Sequence, residues 1–306
     1  MNFIFRIILN RNFILVLAVL LGMLLGDFAH YLQPYTIYVL AITMVFSTTG
    51  IDSKALLPLK NLIKPMLVGT VLNYFVYGVI VLIVAWFLMP TKELFMGFVV
   101  IVAAPPGVAV IPFTGILKGD IKFAIIGVFG AFLASIIIAP ALIGLFSKGV
   151  NVSSWSLFLL MIKLVLVPLL FSRILLLKPV FKIVAKIRGK IVDWGFAIII
   201  FVAVGMNRDV FFSDPKILIL ITIVLLFGTF ILGSVYEQIA LKAGIAKSRV
   251  TTEVLLLTIK SSGFSVVTAF TLFGKEAAIP SAVLAVIVLL YLLFLSIRLD
   301  YKNKVN

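Results

Sequence analysis

Ten stretches of mostly apolar residues, near 13–32, 34–50, 62–89, 94–116, 121–146, 155–177, 190–206, 217–236, 250–273 and 277–297, dominate this 306-residue chain. Each approaches the roughly 20 residues that an α-helix needs to cross about 30 Å of hydrocarbon. Because lipid offers no hydrogen bonds, segments at that depth must satisfy their backbones internally, which predicts an all-α polytopic membrane protein. Composition agrees: 63% hydrophobic and 12% charged residues leave too little polar surface for a water-soluble domain. Without cysteine there is no disulfide, thiolate metal site or cysteine nucleophile. The single histidine, His30, falls at an expected helix end and reads as an interfacial side chain. One histidine and eleven acidic residues do not supply the paired groups an intramembrane hydrolase needs. Neither a catalytic residue, a metal site nor a cofactor is therefore expected, and the chain does not read as an enzyme. Nor does any stretch between the apolar runs reach the length of a soluble sensor domain.

The net charge of +15 points to membrane topology rather than to nucleic acid. With the N-terminus placed in the cytoplasm, nineteen Lys and Arg fall on inner segments and five on outer ones, with the six from Arg173 to Lys190 forming the largest inner group. This positive-inside bias predicts both termini on the cytoplasmic side of the cell (inner) membrane. The first apolar run reads as a retained span, and its Gly22 and Gly26 as a place for close helix packing. The basic tail after Leu295 reads as an anchor that can touch anionic lipid headgroups. Two cations, Lys163 and Lys260, lie inside spans, where an ionisable residue is functional by default.

Sliding the second half over the first exposes an internal repeat. At an offset of about 156, PPGVAVIPFTGILKGD (105–120) lies over SSGFSVVTAFTLFGKE (261–276), with Gly107 on Gly263 and Asp120 on Glu276. At 155, TGID (49–52) lies over VGMN (204–207). The repeat predicts two five-helix units, 1–150 and 151–306, and an odd number of spans per unit makes them inverted. Spans four and nine are interrupted at matching places, by AAPPG at 103–107 and KSSG at 260–263. Broken helices free backbone groups at membrane depth. Two such breaks that cross would aim helix N-termini at one spot, which favours an anion.

These motifs resemble those of the bile acid:sodium symporter family. APPGVAVIPFTGILKGD is similar to the family's fourth-helix signature, TIKSSG to its ninth-helix signature, and VLNYFVYG (71–78) to its third-helix motif. The resemblance implies ten helices with crossed, discontinuous helices 4 and 9. It also implies a core of spans 3–5 and 8–10 moving against a panel of spans 1, 2, 6 and 7. The family's first sodium site maps, position by position, onto Val110, Ile111, Ala124, Val128 and Leu256, none of which offers the oxygen a hard cation requires. The glutamine that serves the second site falls on Lys260, and the third-helix glutamine on Asn73. A lysine ammonium is a tethered cation with three donors, so Lys260 is expected to replace sodium with Asn73 beside it. If its pocket alternates between wet and dry, the amine can also take up and release a proton.

The expected activity is secondary transport, or facilitated diffusion, of a small organic anion by alternating access, independent of sodium and open to proton coupling. Candidate substrate contacts are Pro106, Gly107, Val108, Thr114, Lys163, Asn207, Thr258, Ser261, Ser262 and Gly263. Two other readings stay open: a sodium-coupled symporter with a relocated ion site, and a relative of auxin-efflux-type carriers or cation/proton antiporters. The antiporters normally need an intramembrane aspartate, which the breaks lack.

Overall fold

The computed structural model describes residues 11–51, 62–107, 109–147, 154–209 and 214–305. Among them the regular elements are helices, and the one β-type pairing is an isolated bridge between Pro106 and Lys260. In chain order they are α1 (Arg11–Leu24), α2 (Thr36–Thr48), α3 (Ile63–Leu88), α4 (Lys92–Ala103), α5 (Val110–Ile116), α6 (Ile121–Phe146) and α7 (154–175). They continue as α8 (Lys178–Met206), α9 (Pro215–Lys242), α10 (Lys247–Thr258), α11 (Ser262–Phe273) and α12 (Lys275–Val305).

Six of these, α3, α6, α7, α8, α9 and α12, contain stretches long and apolar enough to cross a membrane. The protein is accordingly an integral, multi-pass membrane protein. Fewer than ten described helices are long and apolar enough to cross alone, for local reasons, and the breaks expected in spans four and nine are present. The first expected span, 13–32, ends as a helix at Leu24. Gly26 and Pro34 punctuate short helical turns through 26–35, and the axis turns by 94° before α2. Spans four and nine are each two pieces, α4 with α5 and α10 with α11, and none of the four exceeds 12 residues. In α4 the helix cannot pass Pro105 and Pro106, which lack the N–H groups that Ile101 and Val102 would need as partners.

Packing follows small residues. At Gly22 of α1 an added Cβ would lie 2.9 Å from the Phe201 carbonyl, and at Gly26 it would lie 2.8 Å from that of Gly205. These glycines are therefore where the first segment meets α8. Helices α1 and α2 each pack on α8, α3 packs on α6, and α12 packs on both α4 and α11. Two polar ties mirror each other across the chain. Asp120, just before α6, receives its backbone support from α10: its N–H donates to Thr252 Oγ1 at 2.8 Å and to the Ser248 carbonyl at 3.1 Å. Glu276, in the first turn of α12, accepts from Thr91 Oγ1 at 2.6 Å, and Thr91 is the N-cap of α4.

Candidate functional site: a lysine held where two helix breaks cross

The two interruptions meet. The Gly107 N–H donates to the Ile259 carbonyl at 2.8 Å, and the Ser261 N–H to the Pro105 carbonyl at 3.1 Å. This short antiparallel pairing satisfies backbone groups that lipid could not. It also requires a bare backbone at Gly107, where a Cβ would sit 3.2 Å from both the Lys260 carbonyl and Ile259 Cγ2.

Lys260 lies at the centre of the pairing and is 1% exposed. Its Nζ donates to the carbonyls of Ala104 at 2.6 Å, Val102 at 3.0 Å and Asn73 at 3.3 Å. The sequence explains why each acceptor is free. The Val102 carbonyl would bond residue 106 in a continuing α-helix, but Pro106 has no N–H. Ala104 already lies past the end of α4 in extended conformation. The Asn73 carbonyl is released by a π-helical turn over Val71–Val76, in which the Tyr77 N–H reaches back to Leu72 instead. Two aromatic faces complete the surroundings: Nζ lies 4.9 Å from the ring centre of Tyr74 and 5.4 Å from that of Tyr77, within cation–π range. The Asn73 amide stands beside the lysine, its Nδ2 donating to the same Ala104 carbonyl at 3.3 Å. Lys260 and Asn73 are thus brought together, with three carbonyls and two rings that the motifs did not single out. The aromatic residues of VLNYFVYG were the available signal.

The other sequence-predicted residues divide. Gly107, Ser261 and Ser262 line a crevice of about 50 Å³ beside Lys260, closed on the far side by Leu15 of α1 and Phe196 of α8. Pro106 is the residue bridged to Lys260. Gly263 permits close approach of Phe196, whose ring would lie 2.6 Å from an added Cβ. Val108 lies outside the described residues. Thr114, Thr258 and Asn207 turn their side chains back to carbonyls four residues earlier, at 2.7, 2.7 and 2.9 Å. Thr258, the last residue of α10, packs beside Gly233 of α9 and does not line the crevice. Lys163 is not brought to the crossing. It is exposed, sits in a π-helical turn of α7 and lines none of the cavities described here. The five positions mapped to sodium ligands are packing positions: Val110, Ala124, Val128 and Leu256 are fully buried, and Ile111 is half-buried.

A larger cavity of about 480 Å³ adjoins the crevice, sharing Ala109 and Phe196 with it. One wall is α5 with the start of α6, and the other is the end of α2 with α8, including Ser47, Arg188 and Asp193. Arg173 of α7 holds the end of α2 in place. Its guanidinium donates to the Thr48 and Ile51 carbonyls, each at 2.7 Å, beside the turn bond that Thr48 already accepts from the Ile51 N–H at 3.1 Å.

Apolar spanning helices, two interrupted helices that cross and an adjoining cavity define a polytopic carrier-type membrane protein. The model of the sodium bile acid symporter family matches residues 37–214, more than half of the chain, and the protein belongs to that family. Its members are membrane transporters of organic anions or other solutes. The matched stretch includes Asn73 and the first break and stops short of Lys260. Among curated proteins, none matches the chain.

Proposed function

We propose that this protein is a secondary transporter or facilitator of small organic anions that works by alternating access without sodium, the ammonium of Lys260 occupying the place of the ion. The observation that carries the reading is the nest of three carbonyls around Nζ. A hard cation is held by oxygens, and here three backbone oxygens converge on a nitrogen that brings its own charge. An ammonium has three N–H groups for these three acceptors, whereas a neutral amine would turn a lone pair on one of them. The arrangement therefore favours a permanent counter-charge over a proton shuttle. The carbon-only side chains at the five mapped ligand positions support the loss of the other sodium site.

The moving parts are read in the same way. The mirrored ties of Asp120 to α10 and of Glu276 to Thr91 support two inverted units, 1–150 and 151–306. In this reading α3–α6 and α9–α12 form a core that moves against α1, α2, α7 and α8. With both termini cytoplasmic, the 480 Å³ cavity between these groups faces the cytoplasm and receives the substrate. Ser261, Ser262 and Gly107 present polar backbone and hydroxyl groups in the adjoining crevice.

Uptake of labelled carboxylates into proteoliposomes, in sodium or choline buffers and with or without a pH gradient, tests this. The expected result is carboxylate flux that is indifferent to both. Flux that requires sodium would overturn sodium independence, and flux driven by the pH gradient and lost in Lys260→Gln would convert the fixed ammonium into a proton carrier.

A further inference from the structure

The larger cavity contains a cation that neither the family resemblance nor the motifs assign. Arg188, on α8, lines it together with apolar side chains including Phe46, Ile111, Val192 and Phe196. In sequence Arg188 belongs to a run of inner-side cations and reads as topological charge. In the structure it differs from its neighbour Arg173. The Arg173 guanidinium is engaged at 2.7 Å by the Thr48 and Ile51 carbonyls and also donates to Ser172 Oγ. Among the described residues Arg188 makes one long contact, Nη1 to the Thr49 carbonyl at 3.4 Å. A guanidinium has five N–H donors in a planar fork that fits a carboxylate with two parallel bonds.

We propose that Arg188 is the residue that reads the anionic group of the transported molecule, and that the cavity takes a monoanion with an apolar body. The inference rests on the transport reading above and names its substrate class. The volume falls within the ~300–1,000 Å³ typical of small-molecule sites, and one cation amid apolar walls fixes orientation while the walls supply contact area. Asp193 stands in the same lining with an interaction of its own, so a second anionic group on the ligand would meet a carboxylate.

Equilibrium dialysis of the purified full chain in detergent, against protein-free micelles, tests the assignment with three rigid probes of one shape: 2-naphthoate, 2-naphthalenemethanol and 2,6-naphthalenedicarboxylate. The wild type should bind 2-naphthoate more tightly than either of the others. Arg188→Gln should weaken 2-naphthoate by about tenfold or more, as expected for loss of a bidentate charge-assisted pair, and leave the alcohol unchanged. Arg188→Lys should keep part of the carboxylate preference, and it decides the matter if Arg188→Gln does not fold. Naphthoate binding unaffected by either substitution, or no preference for naphthoate over the alcohol in the wild type, would overturn the role of Arg188. A dicarboxylate bound as well as naphthoate would overturn the monoanion class. The two readings fail separately. Arg188-dependent binding with no flux in proteoliposomes contradicts transport, whereas flux at the wild-type rate in Arg188→Gln contradicts only the assignment made here.

Discussion

The crossing and the cavity beside it are built on opposite rules. At the crossing, the backbone is nearly self-sufficient: carbonyls orphaned by Pro106, by the end of α4 and by the π turn in α3 are all claimed by the amine of Lys260. In the cavity, a guanidinium with one long contact among the described residues borders about 480 Å³ of space. Polar groups that satisfy one another hold a shape, and polar groups left with spare donors bind something else. Substitutions at the crossing should therefore be felt as stability, and substitutions in the cavity as affinity.

The largest effect is expected at Lys260. Lys260→Met removes the cation, leaves the buried Val102 and Asn73 carbonyls without a partner and leaves the Ala104 carbonyl only the 3.3 Å bond from Asn73 Nδ2, a change of about 2–6 kcal/mol at roughly 1–3 kcal/mol for each bare buried acceptor. A melting temperature in detergent that stays at the wild-type value would break the comparison at its centre. Next comes Gly107→Ala. Its Cβ would press on the Lys260 carbonyl and Ile259 Cγ2, each at 3.2 Å, so both must shift. Denaturant unfolding should register roughly 1–3 kcal/mol of overpacking. The smallest effects come from the two tyrosines over the lysine and sharpen the rule. The Tyr74 hydroxyl donates to the Ala131 carbonyl at 2.9 Å, whereas that of Tyr77 has no hydrogen-bond partner among the described residues. Tyr74→Phe should cost about 1 kcal/mol and Tyr77→Phe close to none, because only the former gives up a buried hydrogen bond. Equal losses in paired melting curves would contradict this.

Much of the crossing was legible in the sequence because its causes are local. Prolines at 105 and 106, a lysine in mid-span at 260 and matched glycines at 107 and 263 each change what the backbone can do, and the resemblance put Asn73 beside Lys260. What was not legible depends on helical phase and register. VLNYFV contains no residue that announces a π turn, yet the released Asn73 carbonyl completes the nest. Lys163 has mid-span spacing, but the face of α7 it occupies is decided by packing, and that face is exposed. Thr258 lies two residues from Lys260, but the helix ends at Thr258 and the chain turns extended before the lysine. Arg188 was hidden among six inner-side cations, whose common topological meaning masks the one that borders a cavity. The turn after α1 falls at Gly26, but apolar content alone carried the first span past it.

The central claim is that an amine does the work of a metal ion, and sodium itself tests it most directly. Melting of the purified protein in sodium chloride and in choline chloride at equal ionic strength should give the same temperature for the wild type, since the nest is already filled by Nζ. A saturable, sodium-specific rise in the wild type would contradict the account, because it would require an ion site that Lys260 has not replaced.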